Sequence, residues 1–434
     1  MRTRRMLITA AIALLAVPSA AAAFAAPAAA TLARGAGHAG AAGHAGAATA
    51  GAKVVVSTAS SKFGRVLVTG AGRSLYVFSG DNFPFSPKGP FQLPCTALNK
   101  APNGKACTAF WPPLIATGPL VAKNGVQQKE LGTVTRNGVK QVTYFGHPVY
   151  RFILDKMPGQ INGENVTAFN GIFLLGAPSG RPAVGNPAVQ TQVSPNGIVL
   201  SSPTATGVRS LYTLSFDPKG MATCLGPCSG VWPPLLASSR AVAGTGVSQA
   251  GLGTVRRPDG SLQVSYHGHP LYFFAFDLGA GAPSGLTNGE YFIDPPAKGV
   301  WYTTLPQGTP NPATTTVGSE TAAGAKILAI TAGFLHVTAT LYAFTADTPT
   351  ASKCAGACAN IWPPVLTTTP PAATGNANAA KLGVIPRSDG TFQVTYNGHP
   401  LYFFSQALNN STAGNGITAF GGTFKIVNVK GTIG

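Results

Sequence analysis

The chain has 434 residues, with 30 Lys+Arg against 12 Asp+Glu and a formal net charge of +18. Charged residues make up only 10% of it, so the surface is sparsely charged with a basic bias, which favours loose association with anionic wall polymers, phospholipid heads or nucleic acid. No run of five Lys/Arg concentrates that field, which argues against a specific nucleic-acid site.

The chain opens on a short basic stretch, Met1-Arg2-Thr3-Arg4-Arg5, followed by apolar residues from Leu7 to Val17 and small residues from Pro18-Ser19-Ala20 onward. That order is expected of a secretory signal peptide, here residues 1–29, and Arg4-Arg5 leaves the twin-arginine route open. No cysteine precedes Cys95 to carry an N-terminal lipid, and no later segment approaches the roughly eighteen unbroken apolar residues of a spanning helix. The expected location is therefore secreted, without a transmembrane segment. Residues 30–52 are Gly/Ala-rich and hold His38 and His44; lacking large apolar side chains, they read as a flexible leader.

Beyond the leader, self-similarity dominates the chain. Leu75-Tyr76-Val77-Phe78 returns as Leu211-Tyr212-Thr213-Leu214 and as Leu341-Tyr342-Ala343-Phe344, each followed by an acid at Asp81, Asp217 or Asp347. Each copy continues with two cysteines and Trp-Pro-Pro, beginning at Trp111, Trp232 and Trp362. Gln-Val-x-Tyr and Gly-His-Pro come next, running from Gln141 to Pro148, Gln263 to Pro270 and Gln393 to Pro400. Pro/Gly-rich linkers at Arg181–Pro187 and Gln307–Pro312 divide the chain into repeats expected at 53–180, 192–306 and 322–430, and their breaker content favours separate domains.

Within a repeat the local pattern is β. Thr391-Phe392-Gln393-Val394-Thr395-Tyr396 alternates, and Asn397-Gly398 then separates it from His399-Pro400-Leu401-Tyr402, a strong hairpin signal. His267-Gly268 and Phe145-Gly146 take the same place in the other copies, and Asp389-Gly390, Asp259-Gly260 and Asn137-Gly138 mark a preceding turn. The expected fold class is all-β: three tandem repeats of antiparallel meanders and hairpins. The second hairpin strand echoes the opening motif as Tyr150-x-Phe152-x-x-Asp155 and Tyr272-x-Phe274-x-x-Asp277, so each repeat reads as a doubled half-unit. The third copy departs, because Ala407 stands where the acid would fall.

This ordered combination resembles the bacterial family of secreted repeats and predicted lipoproteins marked by a Tyr-x-(Phe/Trp/Tyr)-x-x-Asp motif. The resemblance covers nearly all of the chain after the leader and implies an envelope or extracellular location; the family's function is unknown. Leu214 departs from the motif's aromatic, and the lack of a lipobox cysteine departs from lipid anchoring.

The candidate residues admit a structural and a functional reading. Each motif acid follows a strand with apolar residues on both faces and precedes turn-forming residues, so an Asx-type turn competes with a site of collected carboxylates. Cys95/Cys107, Cys224/Cys228 and Cys354/Cys358 read as three disulfides within repeats, against a metal or redox set joined by His147, His269 and His399. Trp111, Trp232 and Trp362 read as core covers beside the cysteines, against exposed platforms for sugars or peptides. No catalytic set of a known hydrolase, zinc protease or phosphate-binding loop is present, and no catalytic residue, metal site or cofactor is assigned. The leading reading is a non-enzymatic binding or structural component of the cell envelope that meets anionic or glycan polymers. The alternatives are a Cys/His metal-handling or electron-transfer protein and a hydrolase built on the motif Asp residues.

Overall fold

The computed structural model describes residues 51–82, 94–279, 281–294, 299–312, 315–322, 324–332, 337–406 and 411–434. The expected signal peptide, all but the last two leader residues (His38 and His44 with them) and Ala407 lie outside the described residues. The chain from Ala50 to Gly434 is one compact unit.

The architecture is all-β, in several antiparallel sheets of three to six strands with three parallel additions. Each repeat begins with a long hairpin: Val54–Ser61 with Gly64–Thr69, Ala188–Ser194 with Gly197–Thr204, and Thr316–Ala322 with Ala325–Ala332. A short strand lies parallel to the first of each pair, at Leu120–Ala122, Val242–Ala243 and Ala372–Ala373. The expected meander recurs three times, as in Leu382–Pro386, Phe392–Tyr396 and His399–Tyr402. Its second turn places both central residues at positive φ in every copy: Phe145-Gly146, His267-Gly268 and Asn397-Gly398. That is the geometry a two-residue hairpin of this type requires, and it holds even where Phe or His replaces Asn. Among the described residues the repeats contain three short α-helices that periodicity did not reveal, Cys107–Phe110, Cys228–Val231 and Ala357–Ile361, each leading directly into a Trp-Pro-Pro.

The two half-units meet at their motif tyrosines. Tyr76 and Tyr150 exchange both backbone hydrogen bonds at 2.9 Å, and Tyr212 with Tyr272 does the same at 2.9 and 3.0 Å. In the third repeat Tyr342 and Tyr402 are paired in one sheet. On its other edge the first motif strand pairs with Gly171–Gly176, Gly299–Thr304 or Gly422–Ile426.

Apolar clusters run across the linkers. Ile172 and Leu174 of the first repeat pack with Leu200, Leu211, Leu271 and Phe273 of the second. Val300 and Tyr302 of the second pack with Leu328, Leu341, Leu401 and Phe403 of the third. The register identifies the corresponding positions at the two ends. Leu174 and Tyr302 correspond to Lys425, since the three lie opposite Val77, Thr213 and Ala343. Phe273 and Phe403 correspond to Arg151, whose backbone N–H likewise donates to the first proline of Trp-Pro-Pro. The position that joins neighbouring repeats therefore carries a charge at Arg151 of the first repeat and at Lys425 of the third.

Candidate functional site

Five motif acids and six motif tyrosines set the question, and local chemistry fixes where each acid falls. In four of the motifs the Asp backbone N–H donates to the carbonyl three residues back, as in Asp217 to Leu214 at 3.1 Å and Asp277 to Phe274 at 2.9 Å. That turn leaves the strand and swings the carboxylate back under the sheet. The carboxylate then accepts a backbone N–H from the next segment: Asp81 from Cys95, Asp155 from Asn162, Asp217 from Thr223, Asp277 from Asn288 and Asp347 from Lys353.

The tyrosine of a motif does not pair with its own acid. Tyr76 donates to Asp155 at 2.7 Å while Tyr150 donates to Asp81 at 2.7 Å. In the second repeat Tyr212 donates to Asp277 at 2.5 Å and Tyr272 to Asp217 at 2.7 Å. The half-units thus exchange phenol–carboxylate bonds across 55 to 79 residues of chain. In the third repeat Tyr402 keeps its bond to Asp347 at 2.6 Å, but Tyr342 donates to the Ser411 carbonyl at 3.0 Å instead. The acid's local partner has gone as well: Asn162 and Asn288 correspond to Ala413, each preceding the glycine whose N–H donates to the tyrosine oxygen.

Asp155, Asp217, Asp277 and the Asp81 carboxylate are buried and Asp347 is half-buried, and most of their acidities are shifted. Burial pushes Asp277 up to about 6, against the opposing pull of the Tyr212 hydroxyl. Burial also raises Asp81, although Arg136 at 2.7 Å works the other way, and it raises Asp217 and Asp347. Burial lifts the partner phenols too, with the adjoining carboxylates adding to the effect at Tyr150, Tyr212 and Tyr272. A buried carboxylate fully engaged by a phenol and backbone N–H groups is well placed to hold chain segments together and poorly placed to reach a substrate.

Trp111, Trp232 and Trp362 are buried, each with one ring face stacked on an aromatic of the neighbouring strand: Phe173 at 3.6 Å, Trp301 at 3.8 Å and Phe424 at 3.8 Å. Phe152 and Phe404 stack nearby and Phe274 lies tilted, at 4.2 to 4.4 Å. A Cβ on Gly163, Gly289 or Gly414 would stand 2.6 to 2.7 Å from the indole, which is why glycine recurs there. All six cysteines form the expected disulfides, Cys95–Cys107, Cys224–Cys228 and Cys354–Cys358. They leave no thiolate for a metal, and no group of three or more His, Cys, Asp or Glu that could hold one occurs among the described residues. His147, His269 and His399 are half-buried at the hairpin strand start, and desolvation lowers the first two below the ordinary histidine range.

The sequence reading missed several recurring groups. Arg136, Arg257 and Arg387 stand ahead of the first meander turn in every copy. Arg136 donates to Asp81 and Tyr150, whereas Arg257 and Arg387 donate to Gln263 and Gln393 and to cysteine carbonyls. Glu164, Glu290 and Asn415 follow the three glycines and each accepts a backbone N–H from the strand beyond, of Leu175, Thr303 and Ile426. Burial lifts both glutamates to about 8. The triple recurrence of Arg before Asn-Gly or x-Asp-Gly, and of Gly-Glu or Gly-Asn, was the available signal.

Four segments match the sequence model of a family described as a secreted repeat of unknown function: residues 132–172, 253–290, 338–366 and 383–427. Three fall on the second half of a repeat and one on the first half of the third. No curated protein and no solved structure matches the chain. No described helix is long and apolar enough to cross a membrane.

Proposed function

From the premise that the chain carries the secreted repeat of unknown function, we propose that it is a non-enzymatic structural or binding component of the cell envelope or extracellular space. A signal peptide over residues 1–29 would export it, and its repeats would present a rigid, basic surface to anionic or glycan polymers. The observation that supports this reading is the Tyr–Asp exchange. Ten of the eleven motif tyrosines and acids (all but Tyr342) are spent on one another inside the repeats. The chemistry that first suggests catalysis is thereby turned to holding two half-units together, and recognition falls to the surface. The compensated loss in the third repeat supports the same reading, since a rewired hydroxyl suits a clasp and would disable an acid–base pair.

The test is retention of the full chain on purified peptidoglycan carrying its anionic wall polymers, measured as salt is raised. Saturable retention that salt weakens is expected, because released counter-ions drive association of a basic surface with a polyanion. Release of soluble fragments from the same polymers, abolished by Asp217→Asn without loss of fold, would overturn the reading in favour of a hydrolase.

A further inference from the structure

The two junctions between repeats are built alike but filled differently. At the second junction the Tyr302 hydroxyl reaches the Pro364 carbonyl at 3.4 Å and the Tyr291 hydroxyl reaches the Leu366 carbonyl at 2.5 Å. Both rings are buried in the shared core. At the first junction the register puts Leu174 in place of Tyr302. Asn165 takes the place of Tyr291, each following the recurrent Gly-Glu and each at positive φ. The matching carbonyl-bearing residues, Pro234 and Leu236, line open space there: a cavity of about 340 Å³ and a neighbouring one of about 180 Å³ with Leu174 in both linings.

The larger cavity has two characters. Phe78, Leu174 and the Pro233-Pro234 pair make an apolar wall. Arg181 and Arg257 face the same space against a single acid among the described lining residues, Asp259. Arg257 spends its Nη1 and Nη2 on Gln263 and the Cys224 carbonyl, whereas the Arg181 guanidinium gives Nη1 to Gly260 and makes no other hydrogen bond among the described residues. Its volume lies in the range of small-molecule sites, about 300–1,000 Å³. We propose that the cleft between the first and second repeats binds a compact amphipathic anion, an aromatic or aliphatic body carrying one carboxylate or sulfonate. The body lies against Leu174 and the prolines, and the anionic head meets Arg181.

Fluorescence titration of the full chain with anilinonaphthalene sulfonate tests this, with uncharged phenylnaphthylamine as the paired probe. One saturable site is expected for the sulfonate. The double variant Asn165→Tyr/Leu174→Tyr, which copies the second junction, abolishes it while the circular dichroism and melting curve stay native. Arg181→Gln weakens sulfonate binding about tenfold, the loss expected for one charge-assisted contact, and leaves the uncharged probe unmoved. Absence of a saturable site, undiminished binding to the folded double variant, or an Arg181→Gln effect equal for both probes would each overturn the proposal.

Discussion

Replacing Tyr212 by Phe removes one hydroxyl from the core of the second repeat and tests the exchange directly. The lost group donates to Asp277 at 2.5 Å and accepts from the Gly289 N–H at 3.3 Å. Asp277 lies at about 6 when folded, above its ordinary value of 3.8, so the folded state holds the proton more tightly. Its contribution to stability is therefore greatest below pH 3.8, falls as pH rises from 3.8 to about 6, and is level beyond. The Tyr212 hydroxyl opposes that fall by stabilising the carboxylate. Its removal should cost about 1.5–3 kcal/mol at about pH 8, the value of a hydrogen bond to a charged group. At about pH 4 the acid is mostly neutral and the cost should shrink towards about 1 kcal/mol. Tyr342→Phe is the internal control, because its hydroxyl meets a neutral carbonyl and its cost should be about 1 kcal/mol at either pH. Urea unfolding followed by tryptophan fluorescence measures both. Equal costs for the two variants, or a Tyr212→Phe cost that does not change with pH, would refute the reasoning.

The same geometry sets three further outcomes. Glu290 is lifted to about 8 from 4.5, so stability declines as pH rises between those values; Glu290→Gln should remove the decline and raise the unfolding free energy by roughly 2–4 kcal/mol at about pH 8, read from melting curves across pH. Loss of the Cys95–Cys107 bridge should cost about 3 kcal/mol and loss of Cys354–Cys358 about 2 kcal/mol, since the first closes the longer loop, and paired Cys→Ser variants in urea measure the difference. Arg151→Phe combined with Lys425→Tyr gives these two positions the residues that join the inner repeats and should raise the mass seen by light scattering through head-to-tail association, with each single variant keeping the wild-type mass.

Much of the architecture was legible because it is local and repeated. Asn397-Gly398 announces its hairpin, the close spacing of Cys224 and Cys228 favours local pairing, and triple recurrence makes each inference cheap to check. Which groups meet across the repeat was not legible. Tyr76 is five residues from Asp81 and bonds instead to Asp155, because adjacent antiparallel strands bring the two motifs together head to tail while the turn after each strand carries its acid towards the opposite phenol. Nothing in a local pattern distinguishes that exchange from two self-contained motifs. The role of Ala413 was equally hidden, since its meaning depends on the alanine-for-acid change six residues earlier. Packing across Arg181–Pro187 was also out of reach: Pro and Gly mark where regular structure stops, whereas the burial of Ile172 and Leu174 against Phe273 depends on a surface assembled from distant strands. Only Lys425 and Arg151, read beside Tyr302 and Phe403, carry a visible trace of that packing.

The most direct test of the central claim is to measure wall-polymer retention and thermal midpoint together on Asp217→Ala and Asp277→Ala, which strip the phenols and backbone N–H groups of their acceptor, whereas Asn would only copy the neutral acid. A clasp predicts a lowered midpoint with retention unchanged below it, because the acids hold the half-units together and touch no ligand. Native stability with lost retention, or with lost turnover of any polymer, would contradict the account and return the motif acids to the site itself.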